Sequence, residues 1–459
     1  AMLRRLLLIG VALALTAAPM SSNAFGNGTG FKTGSCELAA LGVAPGSSGR
    51  VLTVGQGQAY GTIQDAVDAA NEGDHIVIHP GIYAEHVRII DKPGLRVTGT
   101  DRDTVIIDGG SSNSRRIGIE VKRSDRVLLE NMTGRQHQLH SFYWESSTGY
   151  WGRYLTAYNQ GDYGIFAYDS RCGQFDNTYS SGAQDGGIYI GECFPCDAVV
   201  TNIESTENGL GYSGTNAGGN LILKDSWWHN NGLGIVPNSL DGEVAPPQRG
   251  TTIKNNLIEN NSNLQAPGRG AAADFYGVGI AIAGGNQNQI IGNTVRNHAL
   301  AGIVMAPLAT ESSKPYLASS NIVWGNTVSG SGLADLAQGA TAGPNNCWSH
   351  NTYGTSAPVA LQTIWGCTNT DPESLPYYPG ITPPGGDPRV EMGFVEGIAG
   401  LNGRNASRSD WKTWPTPTCG TPGPNQRYAP NSCINLPDET GDGTYANDGA
   451  PDIWLWALL

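Results

Sequence analysis

Short strings of apolar residues recur along the middle of the chain at a nearly constant spacing. Each string contains a Gly, an aliphatic residue, a variable residue and, in most cases, a second apolar residue. The strings begin at Gly118, Gly164, Gly187, Gly234, Gly279 and Gly302. Gly164 and Gly187 are 23 residues apart, and Gly118 and Gly164 are 46 apart, which is twice that interval. A period of about 20 to 30 residues indicates one supersecondary unit stacked many times.

A second landmark keeps the same spacing. In most repeats it is an Asn followed by two residues of which at least one is β-branched, and it recurs at Asn131, Asn177, Asn202, Asn256, Asn293, Asn326 and Asn351. Two landmarks per period imply at least two strands per repeat, and no helical period accompanies them. We therefore predict an all-β fold, a right-handed parallel β-helix with repeats over residues 118–353.

Alternation along each strand separates inward from outward positions. Counting in steps of 23 from Ile119, with longer turns in later coils, lists the inward positions. They are Ile119, Phe142, Ile165, Ile188, Tyr212, Ile235, Ile280 and Ile303, and all are apolar or aromatic. Stacked apolar residues of this kind are typical of the interior of a solenoid. Asn residues beside the strands are expected in turns, where they could stack in ladders, at Asn208, Asn230, Asn231, Asn260 and Asn297.

The first part of the chain predicts a cap. Residues 62–70 read as a short helix, with Thr62 as N-cap and Asp65 in the first turn. This helix would close the open end of the solenoid, within a segment of cap and first coils over 51–117. Tyr83 and Glu85 are interpreted as parts of the cap rather than as catalytic groups.

Together, the repeats and the stretch 62–86 resemble the pectate lyase-like superfamily of right-handed parallel β-helices, over about residues 51–353. That resemblance implies the fold but leaves the reaction open, because the superfamily includes lyases, hydrolases, esterases, epimerases and non-catalytic surface proteins. The chain has neither the paired-Asp pattern with Gly-His-Gly of polygalacturonases nor the Asp-Pro-His of mannuronan epimerases. No catalytic residue is carried over from a family motif.

Both ends of the chain lack the repeat. Residues 1–24 have the charged, apolar and small-residue regions of a signal peptide, so we expect a secreted, extracellular or cell-surface protein with no membrane span after cleavage. Residues 25–50 are a Gly- and Ser-rich lead-in, and 354–459 form an irregular Pro- and Trp-rich extension. Its apolar end, 453–459, is expected to pack over the last coil or to mediate self-association. Residues 438–443 resemble a calcium-binding loop, but their oxygen ligands lack the usual alternate spacing.

The net charge limits the kinds of partner that we expect, and the cysteine content indicates disulfides. The net charge of −13 disfavours nucleic acid, and it disfavours acidic polysaccharides unless local cations or a bound ion intervene. Eight cysteines in an exported chain indicate disulfides. The expected pairs are Cys347–Cys367, Cys419–Cys433 and, one coil apart, Cys172–Cys196.

Outward aromatic and ionisable groups concentrate on the first four coils of the repeat region. Later coils carry smaller residues in the same rows, including Ser213, Val236, Ala281 and Val304, and are expected to expose them. The candidate catalytic residues are His140, Tyr143, Arg153, Tyr168 and Asp169. The candidate substrate-binding residues are Glu120, Glu145, Trp151, Phe166, Tyr189 and Glu192. Of these, His140, Trp151 and Arg153 are expected in turns beside the strands.

This surface suits an extended polysaccharide, because aromatic rings stack on sugars and carboxylates hydrogen-bond their hydroxyls. An epimerase or lyase would use a Tyr or His as base with Arg153 stabilising the enolate. A hydrolase would use a pair among Glu145, Asp169 and Glu192. No cofactor is indicated, apart from calcium as a candidate, and the metal requirement stays open. The alternatives are a non-catalytic structural or adhesive surface protein and a periplasmic maturation factor.

Overall fold

The computed structural model describes residues 36, 45–270, 276–308, 315–368, 384–390, 408–418, 432 and 434–436. The repeat region winds into a right-handed parallel β-helix of about 12 turns, as the periodicity predicts. Two short α-helices lie wholly within the described ranges, α1 (Ile63–Ala69) and α2 (Leu361–Ile364), together with a 3-10 helix at Trp411–Thr413. None of the helices described is long and apolar enough to cross a membrane.

One strand of every coil belongs to an 11-stranded parallel sheet, which we call sheet 1. Its strands are β4 (Val87–Ile90), β7 (Ile119–Lys122), β9 (Phe142–Glu145), β11 (Ile165–Tyr168), β14 (Gly186–Gly191), β17 (Leu210–Thr215), β20 (Leu233–Asn238), β23 (Val278–Ala283), β26 (Ala301–Ala306), β29 (Ala334–Gln338) and β32 (Ser356–Ala357). Ile165 pairs with Phe142 on one side and with Ile188 on the other, so neighbouring coils are in the predicted 23-residue register.

The other strands form a bent 21-stranded sheet, sheet 2, with two strand segments in each complete coil. Along the chain they are β1 (Val51–Val54), β2 (His75–Ile78), β3 (Gly81–Tyr83), β5 (Arg96–Gly99), β6 (Val105–Asp108), β8 (Val127–Arg135), β10 (Thr148–Gln160), β12 (Arg171–Asp176), β13 (Tyr179–Ala183), β15 (Ala198–Thr201), β16 (Glu204–Thr206), β18 (Gly218–Lys224), β19 (Trp227–His229), β21 (Arg249–Lys254), β22 (Leu257–Glu259), β24 (Gln289–Ile291), β25 (Thr294–Arg296), β27 (Ile322–Trp324), β28 (Thr327–Ser329), β30 (Cys347–Ser349) and β31 (Thr352–Tyr353). A coil therefore has three strand segments, one more than the minimum that the two landmarks imply.

The predicted inward positions line the interior. Ile119, Phe142, Ile165 and Ile188 are fully buried in one continuous apolar core. At the sheet corners, Asn stacks on Asn: the Asn208 side chain donates to Asn231 Oδ1 at 3.1 Å. The other predicted turn positions include Asn230, which adopts a left-handed backbone with φ 53°. The Asn residues thus both form the turns and satisfy buried polar groups of the next coil.

The N-terminal cap agrees with the prediction. Thr62 is the N-cap of α1 and accepts a hydrogen bond from the Asp65 amide at 3.1 Å, and Ile63 is buried in the core. The Glu85 carboxylate accepts from the amides of Ile63 and Gln64, both at 3.0 Å. Glu85 therefore caps the helix N-terminus, where a negative charge is favoured.

The described segments that follow the last coil run back along the solenoid towards its N-terminal end. The Asn159 side chain donates to the Trp414 carbonyl at 2.6 Å, and the Trp414 indole donates to Glu207 at 3.1 Å. Further back, the Arg102 guanidinium donates to the Ile434 carbonyl at 2.9 Å. Residues 408–418 and 434–436 therefore lie against progressively earlier coils of sheet 2. The calcium candidate at 438–443 and the apolar end at 453–459 lie outside the described residues.

The disulfides agree with the sequence prediction only in part. Cys347 is bonded to Cys367, the pair that their spacing predicts. The predicted Cys172–Cys196 pair is wrong, because Cys172 is bonded to Cys36 and Cys196 to Cys193. The coil spacing does bring Cys172 and Cys196 together, since the Cys172 amide donates to the Cys196 carbonyl at 2.9 Å, but each sulfur has another partner. Cys419 and Cys433 lie outside the described residues.

Candidate functional site

The candidate site is the outer surface of sheet 1 over β7, β9, β11 and β14. The strand register aligns its side chains in two rows. Glu120, Tyr143, Phe166 and Tyr189 form the first row. Lys122, Glu145, Tyr168 and Gly191 form the second. We call this surface the groove, because segments of chain rise on both of its sides.

An aromatic cluster lies in the groove, and it consists of His140, Tyr143, Tyr163, Phe166 and Tyr189. Phe166 is at its centre: its ring stacks on Tyr143 with centroids 4.9 Å apart and on Tyr163 at 4.6 Å. The centroids of His140 and Tyr189 each lie 4.6 Å from that of Phe166. Phe166 and Tyr189 are buried, whereas Tyr143 and Tyr163 are partly exposed. The exposed rings are the ones available to stack on a ligand.

The packing within this cluster fixes the position of the His140 ring, which is shielded from solvent. Its ring is buried against Phe166, and its Nδ1 has no hydrogen-bond partner among the described residues. Burial, followed by the nearby Arg269 charge, lowers the pKa of His140 to about 3. The imidazole is therefore neutral at physiological pH.

Charged side chains are paired at the end of the groove formed by β7 and β9. Glu120 lies 3.1 Å from His86 and 3.3 Å from Arg88. The hydrogen bond from His86 is the main influence that lowers the pKa of Glu120. Lys122 and Glu145 form an ion pair at 2.7 Å. The positive charges at this end are thus matched by carboxylates.

The phenols of the groove stay protonated at neutral pH and are therefore not available as bases. Tyr143 donates a hydrogen bond to Glu145 at 2.7 Å. Burial and then this hydrogen bond raise the pKa of Tyr143 far above its ordinary value. The pKa of Tyr168 is also raised, first by partial burial and then by the negative charge of Glu192. Both phenols therefore stay protonated and act as hydrogen-bond donors.

Two acidic residues follow the strands on one side of the groove. Asp169 is exposed and accepts a hydrogen bond from Ser146 at 2.9 Å. The Asp169 amide donates to the Gly191 carbonyl at 3.2 Å, which places Glu192 one coil further along in the same turn. Stacked coils are about 4.8 Å apart, so the two residues occupy the same position in adjacent coils.

Glu192 differs from Asp169 in its environment. It is 1% exposed, and neither carboxylate oxygen meets a hydrogen-bond partner in good geometry within the described part of the chain. Glu243, the Asn216 side chain and the Val244 backbone lie close to it. Burial first, and then the Glu243 carboxylate, raise the pKa of Glu192 well above its ordinary value. The segment 239–248, which carries Glu243, leaves β20 and covers this side of the groove.

The opposite side of the groove carries two acids that the sequence analysis missed. Asp162 and Asp185 precede β11 and β14, and the Asp185 amide donates to the Asp162 carbonyl at 3.0 Å. Arg269 lies 3.5 Å from Asp162 and also donates to the Gly161 carbonyl at 3.2 Å. Burial raises the pKa of Asp162 to about 6, and burial followed by Asp162 raises that of Asp185 to about 7. Their identical position in successive 23-residue periods was the signal that could have identified them.

Two of the predicted site residues do not belong to the groove. Trp151 and Arg153 lie within β10 in sheet 2, not in a turn beside sheet 1. Trp151 is buried, and Arg153 lies 3.6 Å from Asp176. The prediction that they flank the groove is wrong because the strand extends through the segment read as a turn.

The later coils also differ from expectation. Ala281 and Val304 face outward from sheet 1, but they are 4% and 0% exposed. They belong to a second apolar cluster that includes Val390. The expectation that these coils expose Ala and Val is therefore wrong at Ala281 and Val304, whereas Val236 is partly exposed.

One group of potential metal ligands stands out elsewhere. In the described ranges, Cys36, Cys172 and Asp197 place one ligand atom each within 4.8 Å of one another. The disulfide occupies both sulfurs, so this group has no thiolate to offer a metal.

Comparison with known proteins agrees with the fold. A family model described as a right-handed beta helix region matches residues 143–313. No curated protein matches the chain. Among solved structures, the mannuronan C-5 epimerase A-module of Azotobacter vinelandii is 15% identical, with a TM-score of 0.42, covering 64% of this chain and 88% of that one. A rhamnogalacturonan lyase is 11% identical, with a TM-score of 0.46, covering 61% and 82%. Pectate lyase Pel9A is 14% identical, with a TM-score of 0.40, covering 69% and 79%.

The strand topology and the family match together define the class of protein. The chain is a right-handed parallel β-helix. Its activity has to be argued from the groove itself, because this fold supports several chemistries.

Proposed function

We propose that this protein is exported and binds an extended polysaccharide along the groove. The supporting observation is the partly exposed Tyr143 and Tyr168 beside paired charges on a long, open sheet surface. Sugar rings stack on aromatic faces, and carboxylates and phenols hydrogen-bond sugar hydroxyls. The disulfides fit an oxidising compartment outside the cytosol.

Among the reactions that such a groove could perform, the acids favour glycoside hydrolysis over elimination or epimerisation. Elimination needs a base, and the raised pKa values of Tyr143 and Tyr168 oppose that role. Arg153, the expected partner of the enolate, lies in sheet 2. Asp169 and Glu192, in contrast, are acidic residues of adjacent coils in different environments, as general acid–base catalysis requires.

In the hydrolytic reaction, Glu192 acts as the acid and Asp169 as the base. Glu192 gives its proton to the glycosidic oxygen as the bond to the anomeric carbon breaks. Water attacks that carbon and loses a proton to Asp169, so that the chain is cut into two shorter ones. Since Glu192 is buried, the segment 239–248 has to move aside for substrate to reach it.

The binding proposal is tested with Tyr168→Ala and Tyr143→Phe on a glycan array, followed by calorimetry. Loss of the Tyr168 ring removes about 1 kcal/mol or more, so affinity should fall about tenfold. Tyr143→Phe keeps the stack with Phe166 and removes only the hydroxyl, so it separates stacking from hydrogen bonding. Trp324→Ala is the matched control, because that partly exposed ring lies on sheet 2. Equal loss in the control, or no loss in Tyr168→Ala, would place binding elsewhere.

Hydrolysis is tested on the glycans that bind. Release of reducing ends should disappear in Glu192→Gln while binding remains. Tight binding without any bond cleavage would favour the alternative, a non-catalytic surface protein.

A further inference from the structure

Four carboxyl groups surround two rings of the aromatic cluster at one end of the groove. Asp162 and Asp185 lie on one side, Glu192 and Glu243 on the other, and the rings are Tyr163 and Tyr189. Glu243 acts electrostatically on Asp185, Glu192 and both rings, so its carboxylate lies close enough to influence groups on both sides of the groove. We call these four carboxyl groups with the two rings the acidic end.

The acidic end has little positive charge of its own. Among the described residues, Arg269 is the cation that bears on Asp162 and Asp185, at 3.5 Å from the former, and its side chain is half exposed. Arg88 and Lys122 are paired with Glu120 and Glu145 at the other end of the groove. Arg269 thus offsets part of the negative charge of Asp162 and Asp185.

A second observation, independent of this charge, concerns Glu192. It is 1% exposed, and both its oxygens are buried without a hydrogen-bond partner of good geometry in the described chain. A buried carboxyl group with unfilled hydrogen-bonding capacity is costly to leave unsatisfied. It faces Glu243, so a hydrogen-bond donor placed between these two groups would satisfy both.

The rings favour one kind of donor. An ammonium group is attracted by the face of a Tyr ring and forms strong hydrogen bonds with carboxylates. Of the two rings, Tyr163 is partly exposed and available to such a group, and it packs against the buried Tyr189 with centroids 4.7 Å apart. The carboxylate of a uronate would be repelled by the ionised carboxyl groups of this site. A neutral sugar would bring no positive charge to balance them.

We propose that the acidic end binds the ammonium group of an amino sugar, so that the glycan of this groove carries free amines. The proposal rests on the proposed function and specifies its substrate class: a polymer of glucosamine or galactosamine units that are at least partly deacetylated. Rings of such a glycan stack on Tyr143 and Tyr168, and an amine binds between Glu192 and Glu243, within the electrostatic influence of Asp185.

Proton release should accompany binding. In the free protein, the carboxyl groups hold protons in place of a cation, and the pKa of Asp185 is about 7 and that of Asp162 about 6. A bound ammonium group favours their ionised forms, so affinity should rise as the pH rises through 6 to 7 and fall once the amine itself loses its proton. Arg269, Tyr163, Tyr168, Tyr189, Glu192 and Glu243 are the other ionisable groups around them.

The test is calorimetric titration of the full chain with three hexamers: glucosamine, N-acetylglucosamine and galacturonate. The glucosamine hexamer should bind most tightly and release protons, which is measured by repeating the titration in two buffers of different ionisation enthalpy. Asp185→Asn and Glu243→Gln should each weaken its binding about tenfold or more and leave the acetylated hexamer unchanged. Asp65→Asn, an exposed carboxylate on α1, is the matched control. If Asp185→Asn does not fold, Glu243→Gln on an exposed segment carries the test.

Each other outcome overturns the inference. Equal or tighter binding of the acetylated hexamer or of galacturonate, with Tyr168→Ala still weakening it, removes the amine preference and keeps the groove as the glycan site. Binding of galacturonate that needs added calcium would show that the acids hold a metal ion. Amine-dependent binding that neither variant weakens would place the amine elsewhere. Absence of binding by all three, together with an empty glycan array, would remove the proposed function as well.

Discussion

The backbone amide of Arg102 donates a hydrogen bond to the Asn435 side chain at 2.6 Å, across 333 positions of the sequence. The Arg102 side chain is fully buried at the same place. Its Nε donates to Thr156 at 2.7 Å, and its other nitrogens donate to backbone carbonyls, including that of Asn177 at 3.1 Å. Burial lowers the pKa of Arg102 to about 9, so the guanidinium remains charged at neutral pH. Arg102 thus joins three successive coils to the returning C-terminal segment.

Arg102→Ala should therefore destabilise the protein strongly. It would leave several buried carbonyl oxygens without donors, at a cost of roughly 3 kcal/mol or more in the free energy of unfolding. Urea denaturation followed by tryptophan fluorescence measures this. Arg171→Ala, at an exposed position of β12, should change stability by less than about 0.5 kcal/mol. A similar small change in both variants would show that the C-terminal contact contributes little.

The buried Asn ladder provides a second stability prediction. The Asn293 side chain donates to the Ile253 carbonyl and to Asn326 Oδ1, each at 2.9 Å, and its Oδ1 accepts from the Asn256 side chain at 3.0 Å. Asn293→Ala removes these bonds in two coils at once and should lower the free energy of unfolding by about 2 to 4 kcal/mol. Thr294→Ala, the exposed neighbour, is the control and should cost under about 1 kcal/mol. Comparable losses of stability in the two variants would show that water satisfies the groups that the Asn293 side chain bonds in the wild type.

The sequence predicts most of this fold because one short-range rule, the 23-residue period, sets both the register and the inward side chains. Phe142, Ile165 and Ile188 could be placed by counting alone. The Cys36–Cys172 bond could not, because it joins a non-repeating segment to the solenoid across 136 residues. No periodicity carries that information.

The candidate site was harder to predict because its parts come from different kinds of structure. Tyr143 and Tyr168 follow from alternation in the strands. Glu243 and Arg269 come from long connections whose path depends on packing, so their approach to the groove has no local signal. Arg153 was misplaced because β10 runs continuously from Thr148 to Gln160, through the segment that the sequence analysis assigned to a turn.

Acid should destabilise the protein through its buried histidines. His137 is fully buried, its Nδ1 lies 3.1 Å from Ser141 Oγ, and burial lowers its pKa to about 3. In the unfolded chain this histidine binds a proton near pH 6.5, whereas in the folded chain it does not. The free energy of unfolding therefore falls as the pH falls from about 6.5 towards 3. Each such histidine contributes a slope of up to about 1.4 kcal/mol per pH unit.

Thermal unfolding between pH 4 and 7 checks this prediction. His137→Gln retains an amide that can bond Ser141 but cannot ionise, so its stability should depend less on pH than that of the wild type. Carbon-13 labelling of histidine adds a direct readout: the His137 resonance should not titrate while the protein is folded. A midpoint near 6.5 in the folded protein would contradict the buried, neutral ring.

The opposite dependence is expected where the segment 239–248 covers Glu192. Because the pKa of Glu192 is raised by burial and by Glu243, the folded state keeps a proton that the unfolded or open state loses. The closed arrangement is therefore most stable at low pH, and its stability is lost as pH rises through neutrality and beyond. Hydrogen exchange around Val244, corrected for the intrinsic effect of pH, should show the segment opening between about pH 7 and 9. Glu192→Gln should stay closed over that range, whereas Asp169→Asn, in the same turn one coil earlier, should behave like the wild type. Opening that is identical in Glu192→Gln and the wild type would show that the carboxyl pair does not hold the segment in place.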